Sequence, residues 1–147
     1  MADTIRERII QAFSDRAAAL SSLPVERCTR SMGETKAVFI SVWDGADQDQ
    51  APLYGLQPIV FPISLECIFM HGSDNPSIAA NALLGEVITT MIGPSTDLTF
   101  GGLATGIVKN SGSPDYPQSG SDYTTLTVNF TINYTTLIGD PYRVGEI

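Results

Sequence analysis

Leu126-Thr-Val-Asn-Phe-Thr-Ile-Asn-Tyr-Thr135 alternates an apolar with a polar side chain at every step. Successive residues of a strand point to opposite sides, so Leu126, Val128, Phe130, Ile132 and Tyr134 share one face. Thr127, Asn129, Thr131, Asn133 and Thr135 share the other. The pattern predicts a long strand with one buried and one wet face, as in an antiparallel sheet covered on a single side.

Upstream, the stretch 59–71 repeats the pattern, with Phe61, Ile63, Leu65, Cys67 and Phe69 on one face and Pro62, Ser64 and Glu66 on the other. Pro62 has no N–H to donate to a ladder, which predicts an edge or a bulge near the start of that strand. Ala37-Val-Phe-Ile-Ser-Val-Trp43 is β-branched and aromatic and ends at Asp44-Gly45, so it reads as a strand running into a turn. Val25 to Thr29 is a shorter candidate. Leu98 to Val108 carries Gly101, Gly102 and Gly106 and reads as a turn leading into a strand over about 103–110.

Two segments have helical spacing instead. Thr4-Ile-Arg-Glu7 is a capping box, and Ile5, Ile9, Phe13, Ala17 and Leu20 recur at helical intervals, which predicts a helix over about 4–21. Asn75-Pro76 sets an N-cap and a proline in the first turn. Ala80, Leu84, Val87, Ile88 and Met91 then trace one stripe until Gly93-Pro94 stops the helix.

The order helix, strands, helix, strands predicts an α+β domain spanning 1–147, with a largely antiparallel sheet of four to five strands and two helices packed on one face. Two polar stretches read as mobile loops, about 44–57 and about 111–122. The second, from Ser111 to Asp122, is rich in Gly, Ser and Pro.

Hydrophobic residues are 43% of the chain and charged residues 16%, a balance that favours a packed globule over disorder. Eight Lys and Arg against sixteen Asp and Glu give a net charge of −8. Such a chain gains nothing from counterion release at phosphates, which argues against nucleic acid or an anionic membrane as primary partner. No stretch approaches the roughly 20 apolar residues of a membrane helix. There is no apolar run before Ile9, and Cys28 and Cys67 lie far apart, so the expectation is synthesis without a secretory signal in a reducing cytoplasm.

The chemistry-bearing residues are few. His71 is the single histidine, so a His cage cannot form, and its position at a strand end reads as structural. The glycines near Gly101 lack the lysine and spacing of a phosphate cradle. Asp44, Asp47 and Asp49 are the one carboxylate cluster in which a hard cation could find several oxygens. Their spacing does not match an EF-hand loop, and a solvated acidic loop is the reading adopted. Trp43 reads as a half-buried core residue. No catalytic, cofactor or metal residue is therefore assigned, and the expectation is a protein whose work is contact.

The capped opening helix, the strand ending Trp43-Asp44-Gly45, the mid-chain helix and the closing strand running into Gly139-Asp140-Pro141-Tyr142 resemble the tail terminator and tail completion proteins of long-tailed bacteriophages. The resemblance spans most of the chain in order and length. It departs at Thr135, Thr136, Leu137 and Ile138, where members of that family often carry basic residues.

The resemblance implies a structural virion subunit, assembled in the host cytoplasm, that closes a six-membered ring on the head-proximal end of the tail. Its partners would be other copies of itself, the tail tube protein and the head-tail connector protein, with DNA only as cargo passing through. No cofactor comes with it. A connector (neck) component is the neighbouring alternative, and a small metal-dependent hydrolase using the acidic loop is the alternative from another class. The expected contact residues are Asp44, Asp47 and Asp49 at the lumen or rim, Tyr116 as an anchor in the second loop, and the wet face Thr127, Asn129, Thr131 and Asn133.

Overall fold

The computed structural model describes residues 2–20, 24–28, 39–116 and 122–145. Helix α1 (Ile5–Ala17) starts at Thr4, whose hydroxyl accepts the Glu7 N–H at 3.1 Å. Only this half of the capping box forms, because the Glu7 carboxylate turns outward to take both guanidinium nitrogens of Arg27, at 2.5 and 3.0 Å. The helix also stops short of position 21. Ala19 and Leu20 donate to the carbonyls of Arg16 and Ala17, three residues back, so its last turn tightens and carries Leu20 into the core.

Seven strands follow in one sheet: β1 (Val25–Arg27), β2 (Phe39–Asp44), β3 (Gln48–Asp49), β4 (Leu56–Met70), β5 (Gly106–Asp115), β6 (Tyr123–Leu137) and β7 (Asp140–Val144), with helix α2 (Pro76–Ile92) between β4 and β5. The main order is β1-β2-β4-β6-β5, with β3 also on β4 and β7 also on β6. The fold is α+β, and all pairings are antiparallel except β1 with β2. The strand count exceeds the expected four to five because two short segments took part that composition had hidden. Gln48–Asp49 pairs with Val60 and Ile59, and Gly139-Asp140-Pro141-Tyr142 is more than a turn, since it opens β7.

The centre is the antiparallel pair β4–β6, in register from Leu56 opposite Leu137 to Met70 opposite Tyr123. Pro62 lies within this ribbon rather than at its margin. Its carbonyl accepts Gly45 N at 2.8 Å, and the N and C=O of one strand residue point to the same side, so the missing N–H falls in the gap between β2 and β3.

The inward residues of β4 and β6 form one core with Ile5, Ile9, Ile10 and Phe13 of α1 and Ala80, Val87 and Met91 of α2. Phe13 meets Phe130 edge-on, ring centroids 5.7 Å apart. Both helices thus bury their stripes against the same side of the sheet, and the alternation of β6 is realised residue by residue.

The expected loop over 111–122 is corrected in its first half. Ser111–Asp115 belong to β5, paired from Ser111 opposite Asn129 to Asp115 opposite Thr125 after a bulge at Lys109. Glycine suits position 112 because a Cβ there would meet the end of Leu84 of α2 at 2.8 Å. The remainder, 117–121, lies outside the described residues, as do 29–38. The loop over 44–57 is likewise interrupted by β3 and by a tight hairpin at Leu53–Leu56.

Candidate functional site

The three aspartates do not form a free acidic face. Arg6, projecting from the first turn of α1, donates to Asp44 Oδ2 at 2.7 Å, to Asp47 Oδ1 and to the Gly45 carbonyl at 2.5 Å. Its guanidinium lies 4.4 Å from the centroid of the Phe61 ring. On the far side of Asp47, the Tyr134 hydroxyl donates to Oδ2 at 3.1 Å, and burial, reinforced by Asp47, pushes the phenol pKa up. Asp44 and Asp47 therefore tie the loop to the helix and the central ribbon, while Asp49 stays exposed at the mouth of a hollow it shares with Gln57 and Asp140. Among the described residues no group of three His, Cys, Asp or Glu is arranged to hold a metal ion. The reading of all three as a solvated loop is corrected: a strand-borne ring and a helix-borne cation were at hand to use two of the charges.

The outward face of β6 is partly engaged as well. Asn129 Nδ2 donates to Ser111 Oγ at 2.8 Å, and Asn110 Nδ2 donates to the Thr131 hydroxyl. These cross-strand bonds hold β5 on β6 next to the bulge. Thr127 is directly opposite Glu66, and Asn133 is exposed. Tyr116 follows the last residue of β5 and is 47% exposed.

On this outward side the sheet carries a groove of about 510 Å³ lined by Trp43, Ser64, Glu66 and Thr127. A second hollow of about 170 Å³ adjoins it through Trp43 and Ser64 and extends to Pro62 and Asn129. The strand register explains the lining, since Trp43 pairs with Ser64, Ser64 with Asn129 and Glu66 with Thr127. Among the described residues, the two hollows together combine an indole and a proline ring with the carboxylates of Glu66 and Asp44, the hydroxyls of Ser64 and Thr127 and the Asn129 amide.

The sequence reading passed over the far end of the ribbon. Leu53 and Leu56 exchange both backbone hydrogen bonds, at 2.9 and 3.0 Å, around a two-residue loop in which Tyr54 has φ 52° and Gly55 φ 78°. Two consecutive positive φ values make this a type I′ turn, which favours Asn-Gly over Tyr-Gly. Tyr54 is 87% exposed, with Leu53 at 56% and Ile138 at 55% beside it, where Ile138 N donates to the Gly55 carbonyl. A glycine between apolar residues was the available signal, obscured by the polar residues before it.

His71 is a structural residue: its Nδ1 lies 2.7 Å from the Thr124 hydroxyl, and its backbone N–H donates to Asp122. Cys67 is buried, which pushes its thiol pKa up to about 12 and leaves it an inert core group. No helix among the described residues is long and apolar enough to cross a membrane.

No family model and no curated protein matches the chain. One solved structure, whose name carries no functional description, aligns over 87% of this chain and 92% of its own at 17% identity with a TM-score of 0.37. A superposition that loose carries no argument about fold or function.

Proposed function

We propose that this protein is a structural virion subunit, a tail terminator that forms a ring on the head-proximal end of a phage tail tube, stops tube growth and offers its other side to the head-tail connector. The observation that supports this most is the division of the sheet. One face is filled by both helices, while most of the exposed large apolar groups, among them Leu53, Tyr54, Met70, Val108, Ile138 and Tyr142, lie at the ribbon ends and margins, with Ile78 exposed on α2. Leu53, Tyr54 and Ile138 lie together at one end of the ribbon, and apolar groups clustered on a surface are characteristic of contact surfaces. The sequence resemblance described above supplies the identity of the contacts: copies of itself in a six-membered ring, the tube protein and the connector.

The test is reconstitution. The purified chain is added to tail tubes lacking a terminator, and the tubes are examined by electron microscopy. The expected result is a six-fold ring at one end of each tube and arrest of further tube growth. Tubes that keep elongating and carry no added density would refute the terminator reading, and a twelve-fold density on the head vertex would favour the connector role.

A further inference from the structure

We infer that the Leu53–Tyr54 hairpin tip of one subunit seats in the Trp43 groove of a second copy. The inference rests on the ring-forming reading and names the contact that would close the ring. Its first support is the tip. A bulky aromatic residue held at φ 52° is strained, and strain of this kind persists where the rest of the structure imposes it, commonly at binding sites. The side chain is 87% exposed, so packing within its own subunit does not account for the choice of tyrosine. A phenol on a tight turn is a rigid anchor that loses little side-chain entropy on docking.

The second support is chemical fit. Trp43 and Pro62 offer flat apolar walls to an aromatic ring, and the Glu66 carboxylate with the Ser64 and Thr127 hydroxyls offers acceptors to a phenolic O–H. The volume of about 510 Å³ has room for Leu53 alongside Tyr54.

The third support is geometric. Tyr54 lies two residues before Leu56, the first residue of β4, and Ser64 lies eight residues beyond Leu56 along that strand. At a strand rise near 3.3 Å per residue Leu56 and Ser64 are roughly 26 Å apart on one rigid ribbon, with the Tyr54 tip beyond Leu56. A subunit cannot fill its own groove, so tip and groove can meet only between copies. Tip and groove are different patches, so the contact can run head-to-tail from copy to copy, which is the arrangement a ring requires.

The experiment is sedimentation and light scattering of the full chain over a concentration series, on wild type, Tyr54→Asn, Ser64→Trp and an equal mixture of the two variants. Asparagine suits the turn, so Tyr54→Asn keeps the fold. If Ser64→Trp alters the circular dichroism spectrum, Thr127→Arg on the opposite wall takes its place. The expected outcome is that wild type self-associates, each variant alone associates at least about tenfold more weakly, and the mixture stops at heterodimers, since one intact tip then meets one intact groove.

A Tyr54→Asn protein that assembles like wild type, or a mixture that regains full rings, would overturn the inference while leaving the terminator reading intact. So would a wild type that stays monomeric at high concentration yet still forms rings on tubes. Failure of the terminator reading is distinguished by tubes that gain no ring while tip-dependent self-association persists.

Discussion

Arg6 and Asp44 are joined at 2.7 Å across 38 residues of chain, and the same guanidinium covers the Phe61 ring. One side chain thus fastens α1, the segment after β2 and the central ribbon. Removing it strands Asp44 and Asp47 without their cation and leaves the Gly45 carbonyl without its donor. The pair is partly exposed, so screening limits its share, and we expect Arg6→Ala to cost about 2 kcal/mol in chemical denaturation. Arg6→Lys should lose about half of that, because an ammonium cannot reproduce the fork. Hydrogen exchange of the amides of Asp47 to Gln50 should accelerate in both variants.

This junction also marks where the sequence stopped being legible. Periodicity located α2 nearly to the residue and β4 and β6 to within about three residues at each end, because one buried face imposes a repeat on every position. It said nothing of Arg6, whose helix face is set by partners 38 to 41 residues away. The acidic run looked solvated for the same reason: a carboxylate bound to a distant arginine has the same composition as one in water. The short strands β3 and β7 were lost because two to five residues give no period to read.

Asp97 should make the region after α2 acid-sensitive. Its carboxylate accepts from the Thr99 hydroxyl at 2.6 Å, the Thr99 N–H at 2.9 Å and the Gly101 N–H at 2.8 Å, and these bonds lower its pKa to about 2. A carboxylate with a depressed folded pKa adds stability that is present above its unfolded value, near 3.9, and is lost as pH falls through the folded value. The loss is therefore expected between about pH 4 and pH 2. Comparing thermal melts of wild type and Asp97→Asn should show a difference at pH 6 that shrinks across this window. A difference that stayed constant down to pH 2 would contradict the assignment.

Gly93 is required for a reason other than positive φ, since its φ is −65°. Pro94 restricts the residue before it to extended conformations, and Gly93 accordingly has ψ 170°. In that conformation a Cβ would lie 2.2 Å from the Thr89 carbonyl oxygen, the acceptor of the Gly93 N–H. Backbone cannot yield as a side-chain end can. Gly93→Ala should cost about 2 kcal/mol, within the range of overpacking changes, and lower the melting temperature measurably. Gly112→Ala meets only the end of Leu84 and should cost less.

The last prediction separates the aspartates that hold the fold from the one free to face a partner or passing DNA. Asp47 is bound by Arg6 and Tyr134, so Asp47→Lys places a cation against a guanidinium and removes the acceptor of a buried tyrosine. That change should cost about 2 kcal/mol or more. Asp49 has an exposed side chain at the mouth of the neighbouring hollow, and Asp49→Lys should leave stability within about 0.5 kcal/mol. If the proposed ring turns this edge toward its lumen, six added lysines would attract phosphates and slow DNA release in a salt-dependent manner. Ejection kinetics of particles carrying Asp49→Lys test this directly. A slower release that recovers as salt is raised is the expected result, and wild-type kinetics at every salt concentration would place Asp49 away from the DNA path.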